Sequence, residues 1–194
     1  FMMKEIHEQP KAVKDTLNSV LKDGKLDLSA VELTDDEIKK ISQIYIVACG
    51  SAYHVGMVAQ YVIEDLVKIP VRVELASEFR YRKPILDPNG LVIIISQSGE
   101  TADSLAALRE TKAQGIRTLG IVNVVGSSIA READKVFYTL AGPEISVATT
   151  KAYSTQLMAS YILAIQFAKV KNTITEEQYE NYIAELQAIP EKIE

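Results

Sequence analysis

Two hydrophobic patterns alternate along this chain, and each predicts a different element. Unbroken apolar runs at 44–48 (IYIVA) and 91–95 (LVIII) are rich in β-branched residues, which suits strands buried on both faces of a parallel sheet. Runs at 71–75, 118–122 and 136–140 read as three further strands. Helical segments lie between and after them: Ala52 to about Leu66, Ser77 to Tyr81, Ala102 to Arg109 with a C-cap at Gln114-Gly115, Ser127 to Ala133, and a long helix from Lys151. Strands alternating with helices at this interval predict an α/β domain: a five-stranded parallel sheet, right-handed crossovers and helices on both faces.

The flanks read as helical too. Ile6, Val13, Leu17, Val20 and Leu21 recur at helical spacing, predicting one helix that ends near Gly24, with Pro10 as an early helical residue. Thr34 followed by Asp35, Asp36 and Glu37 predicts an N-cap and a short helix to about Ile41. Thr173 is expected to cap a last amphipathic helix with Tyr179, Tyr182, Ile183, Leu186 and Ile189 on one side. On this pattern residues 1–42 form a helical extension, and 43–194 form the α/β domain with its terminal helices. The apolar stretch Ala152 to Val170 is broken by Ser154, Thr155, Gln156, Ser160, Gln166 and Lys169, which suits a buried or interface helix rather than a membrane span.

Candidate chemistry gathers where the central strand ends. Ser96, Gln97, Ser98, Gly99, Glu100 and Thr101 bring three hydroxyls, an amide and a flexible glycine to a strand–turn–helix junction. The first N–H groups of a helix lack intrahelical partners and sit at the positive end of its dipole, so such a turn favours an anion. One hydroxyl suffices for a helix cap; the density here, at the carboxyl end of a buried strand, points to a phosphate site. Small polar residues at 49–52 and 147–150 are expected on the same sheet edge, so three loops would converge on one crevice. No GxxxxGK[ST] follows a strand, and Gly50 and Gly56 are too far apart for GxGxxG; a phosphate held by hydroxyls and backbone amides, with no lysine or arginine in the loop, suggests a small phosphorylated metabolite.

Composition excludes several classes. A net charge of -5 argues against a general nucleic-acid binder, and a single cysteine, Cys49, excludes an internal disulfide framework or a cysteine-based zinc site and fits a reducing cytoplasm. Nothing points to a metal or a cofactor. With two histidines in the chain, acid–base machinery is thin. Cys49 reads as a small buried residue, Lys151 as structural or solvated, Glu100 as a first-turn acid, and His7 and His54 as exposed polar residues. The opening Phe1-Met2-Met3 carries no signal-peptide pattern and reads as the inside of a longer protein or a cloning boundary.

Several segments together carry a resemblance: KEIHEQP, CGSAYHVGMVAQY, VELASEFRYRKP, SQSGETADSLAAL, NVVGSSIAREAD, EISVATTKAYSTQL and LQAIPEKIE. They resemble the first sugar isomerase (SIS) domain of the glucosamine-6-phosphate synthase family over nearly the whole chain. The resemblance implies a three-layer SIS sandwich, and it implies part of an enzyme that turns fructose 6-phosphate and glutamine into glucosamine 6-phosphate and glutamate. By position it implies a phosphate loop of Ser96, Gln97, Ser98 and Thr101. Ser51 and Ala52 stand where the family usually has a threonine and a serine, so Ala52 lacks a hydroxyl. Val147, through its backbone, and Thr149 would contact the sugar. The family's ring-opening histidine, proton-transferring glutamate and Schiff-base lysine belong to a second SIS domain and a carboxyl tail, so no catalytic residue is expected here. Implied partners are that second SIS domain, a glutaminase domain and a second copy in a homodimer. Two rivals stand beside this reading: a self-sufficient single-domain isomerase using His54, Glu100 or Glu144, and a non-enzymatic sugar-phosphate sensor.

Overall fold

A computed structural model describes residues 1–194. Five parallel strands form the sheet: β3 (Ile44–Ala48), β4 (Val71–Leu75), β5 (Leu91–Ser96), β6 (Arg117–Val122) and β7 (Lys135–Tyr138), in the order β4-β3-β5-β6-β7. Every residue of β3 and β5 is buried, as an apolar run without alternation requires. Their side chains alternate between two cores. Ile44, Ile46, Leu91, Ile93 and Ile95 point into a 36-residue cluster, while Tyr45, Val47, Val92 and Ile94 join a 12-residue cluster on the other face.

The larger core is covered by α2 (Gln9–Asn18), α3 (Asp35–Lys40), α4 (Ser51–Val67), α8 (Lys151–Val170) and α9 (Glu176–Ile193). The smaller is covered by α5 (Ala76–Arg82), α6 (Ala102–Ala113) and α7 (Ser128–Glu132). Helix α8 is mostly buried, with Ile162, Ala164 and Phe167 fully enclosed, so its apolar character serves the core. No helix is long and apolar enough to cross a membrane. Val13, Leu17 and Val20 belong to the same large cluster as the sheet.

Two expectations fail at the flanks. The single helix expected up to Gly24 is two helices, α1 (Met2–His7) and α2, and then a hairpin of β1 (Leu21–Lys22) and β2 (Lys25–Leu26). Pro10 has no N–H to offer the Ile6 carbonyl, which accepts instead from Gln9 Nε2 at 3.1 Å, and the helix breaks at Glu8. Asp23 and Gly24 both have positive φ, 49° and 74°, the two-residue geometry that matches hairpin twist. The last helix is capped by Thr175, reciprocally with Gln178, rather than by Thr173. The Thr173 hydroxyl donates to the Leu66 and Ala168 carbonyls and so ties the end of α8 to α4. Thr34 and Glu37 do form the capping box that opens α3.

The chain leaves β3 toward β4 on one side and resumes at β5 on the other. The strand order therefore reverses between β3 and β5, which opens a crevice at their carboxyl ends.

Candidate functional site

That crevice encloses about 310 Å³. The structure brings all eight sequence candidates to its wall: Ser51 and Ala52 after β3, Ser96, Gln97, Ser98 and Thr101 after β5, and Val147 and Thr149 from the loop before α8. Cys49, Glu144, Ser146 and Gln156 complete its polar lining. Larger hollows exist, an apolar groove of about 560 Å³ between α4, α8 and α9 and one of about 500 Å³ beside Glu8, Asn123 and Lys151, yet neither lies at the strand reversal.

Two glycines shape the turns. Gly50 precedes α4 at φ 56°, ψ -134°, a conformation open to glycine and strained for other residues. Gly99 has φ 66°, and a Cβ there would stand 2.0 Å from Ser127 Oγ, so the turn after β5 can close against α7 only without a side chain. Within that turn the hydroxyls hold the loop, and one proton of the Ser96–Thr101 pair is spent between the two side chains. Ser96 Oγ accepts from the Gly99 N–H at 3.1 Å and lies 3.2 Å from Thr101 Oγ1. Ser98 Oγ accepts from the Glu100 N–H at 3.2 Å, leaving its own proton free to donate.

Three helices begin at this crevice, α4, α6 and α8, and none has its N-cap side chain bonded to its own first turn. Their positive dipole ends border a space lined by one formal charge, Glu144. That carboxylate is committed to α8: Oε1 accepts from the Thr150 and Ala152 N–H groups at 2.8 and 3.2 Å, and Oε2 accepts from Thr149 Oγ1 at 2.9 Å. Thr149 thus donates its proton to Glu144 and keeps only lone pairs on the crevice wall. Glu100 turns away, accepting from the Ser128 N–H at 2.7 Å; that bond holds its carboxyl below the ordinary carboxylate value.

The remaining candidates lie apart or stay quiet. Lys151 is buried outside the crevice and pairs with Glu8 at 2.6 Å. His54 and His7 are exposed. Cys49 Sγ accepts a long bond from Ser104 Oγ at 3.8 Å. No cluster of three or more His, Cys, Asp and Glu side chains could hold a metal. Glu144 and Gln156 were not anticipated in their observed places. Glu144 caps from six residues before Thr150, outside the usual capping spacing, and Gln156 reads in sequence as an interruption of an apolar helix. It is 4% exposed and faces the crevice from the second turn of α8.

The SIS domain family model matches residues 37–166. The chain belongs to the SIS domain family. It is 57% identical over 195 aligned residues to a glutamine–fructose-6-phosphate aminotransferase (isomerizing) of Clostridium tetani, covering 100% of this chain and 32% of that protein. Among solved structures, the C-terminal domain of glucosamine-fructose-6-phosphate aminotransferase from Francisella tularensis superposes with a TM-score of 0.94 at 46% identity, over 98% of this SIS chain and 53% of that one. A glucosamine-6-phosphate deaminase from Thermotoga maritima superposes at 0.73 with 26% identity, over 97% and 53%. The SIS domain here spans about a third of the length of the curated relatives it matches.

Proposed function

We propose that this SIS domain is the sugar-phosphate-holding part of the isomerase region of a glutamine–fructose-6-phosphate aminotransferase. It binds the phosphate of fructose 6-phosphate, or of the product glucosamine 6-phosphate, and lacks the groups that isomerise it. One observation carries the reading: a crevice at the strand reversal that receives three helix N-termini and a hydroxyl-rich turn. The phosphate sits against Ser96, Gln97, Ser98, Thr101 and Ser51, with Val147 and Thr149 toward the sugar. Ala52, being apolar, leaves the phosphate one hydroxyl fewer. Residues 1–42 act as a helical extension of the 43–194 domain.

Catalysis needs an acid or base within about 2.6 to 3.2 Å of the proton it moves. In the crevice, the carboxylate that could serve is Glu144, and its oxygens already accept four hydrogen bonds from residues 149–152. The histidine, glutamate and lysine chemistry belongs to a second SIS domain and a carboxyl tail, and ammonia release to a glutaminase domain. The setting is cytoplasmic. The apolar groove between α4, α8 and α9, lined by Tyr61, Tyr161, Tyr182 and Leu186, is the face through which the domain pairs, as a homodimer or with the second SIS domain.

The test is exchange of the C1 and C2 protons of fructose 6-phosphate in deuterated water, followed by NMR. The expected result is no exchange above background with this chain alone. Protein-dependent exchange that disappears in Glu144→Gln would establish a self-sufficient isomerase instead.

A further inference from the structure

Residues of the first helical segment reach more than 130 positions along the chain to the crevice wall. Glu5 is 4% exposed, and its carboxylate accepts from the Ile145 N–H at 2.7 Å and from the Ser146 N–H at 3.3 Å. Glu8 pairs with Lys151, the first residue of α8. Gln9 Oε1 accepts from Ser154 Oγ at 2.5 Å. All three contacts fall on the loop 144–150 and the first turn of α8, the segment that brings Glu144, Ser146, Val147 and Thr149 to the crevice. Glu144 fixes the far end of the loop through Thr149 and Thr150, while between them Ile145 and Val147 are exposed and the loop carries no regular structure.

We propose that Glu5, Glu8 and Gln9 form a positioning clamp, in which Glu5 sets the backbone at Ile145 and Ser146 and thereby sets the sugar-facing wall of the crevice. The placement of α1 then determines how well the crevice closes on its ligand. A carboxylate is suited to this task because two successive N–H groups converge on it, a charge-assisted arrangement that an amide reproduces only in part. Hydrogen bonds from Ser146 and Ile145 hold the Glu5 carboxyl below its ordinary value, in keeping with an ionised acceptor. The clamp itself follows from these contacts; its effect on ligand affinity rests on the function proposed above.

The test compares Glu5→Ala and Glu5→Gln in the full chain with Asp134→Asn, a control at the opposite sheet edge whose carboxylate likewise accepts a backbone N–H, from Thr118 at 2.9 Å. Amide hydrogen exchange at Ile145 and Ser146 should rise about tenfold or more in Glu5→Ala, less in Glu5→Gln, and not in Asp134→Asn. Calorimetry with fructose 6-phosphate should show affinity falling about tenfold in Glu5→Ala, with partial rescue in Glu5→Gln and wild-type affinity in Asp134→Asn. Should Glu5→Ala fail to fold, Glu5→Gln, which keeps the shape, carries the comparison. Unchanged exchange at the two amides would refute the clamp. Faster exchange with unchanged affinity would refute its positioning role. A wild-type chain that binds no sugar phosphate would overturn the proposed function and the positioning role together, while the exchange data would still show whether Glu5 holds the loop.

Discussion

At the amino ends of the strands, Asp134 accepts from the Thr118 N–H and hydroxyl at 2.9 and 2.8 Å and pairs with Lys112 at 2.9 Å. Nearby, Glu37 caps α3 and faces Lys135, and the Tyr45 hydroxyl donates to Gln43 while accepting from the Asp87 N–H. At the carboxyl ends, the Ser51 hydroxyl and the Gln97 and Gln156 amides reach the crevice without a hydrogen-bond partner in the chain, and Ser98 keeps a free proton. Both edges are polar. One uses its polar groups to close the sheet and the other leaves part of them open, so hydrogen-bonding capacity left unfilled distinguishes the proposed binding edge better than polarity does.

The largest effect that would sharpen this contrast is on stability at the closed edge. Asp134→Ala leaves the N–H and hydroxyl of fully buried Thr118 without their acceptor and should destabilise the fold by roughly 2 to 4 kcal/mol, read by denaturant unfolding. Ligand affinity should stay at the wild-type value. Ser98→Ala inverts the pattern. It should weaken fructose 6-phosphate binding by about 1.5 to 3 kcal/mol in calorimetry and leave the unfolding midpoint nearly in place. Equal loss of stability and affinity in both variants would erase the distinction between the edges.

The smallest effect is that of acid. The Asp134 carboxyl is raised by partial burial, but Lys112 and Thr118 outweigh this and hold it below its ordinary 3.8. Glu37, bonded to Thr34, and Glu5, bonded to Ser146 and Ile145, lie below their ordinary 4.5. Depressed carboxylates contribute stability that is complete above the unfolded values and is lost as pH falls through the folded ones. Unfolding free energy should therefore be flat from neutral pH down to about 5 and decline below about 4.5. For Asp134→Asn the decline should be shallower, because one of the depressed groups is gone.

Much of the architecture was legible because it rests on local signals. Burial on both faces demands an unbroken apolar run, so β3 and β5 could be placed within a residue from IYIVA and LVIII. The eight candidate residues share one crevice because parallel strands send all their carboxyl ends to one edge. What escaped depends on competition or distance. Asp23-Gly24 is a strong hairpin signal, yet Val20 and Leu21 sit in phase with the helix before it, and the helical period masked the turn. Glu144 caps α8 across a loop, and Glu5 binds Ser146 from 141 positions away; no spacing rule reaches that far. Gln156 was visible only as a defect in an apolar helix, because its meaning depends on the side of α8 that meets the crevice.

The central claim is that the edge with unfilled hydrogen-bonding capacity receives a sugar phosphate. Titration of fructose 6-phosphate into the isotope-labelled chain, followed through backbone amide chemical shifts, tests it most directly. Saturable shifts should concentrate at residues 50–52, 96–101 and 146–150, where the three helices begin, and the amides of Thr118 and Asp134 should stay still. Saturation without movement in the 96–101 turn, or movement centred on the Thr118–Asp134 edge, would contradict the account.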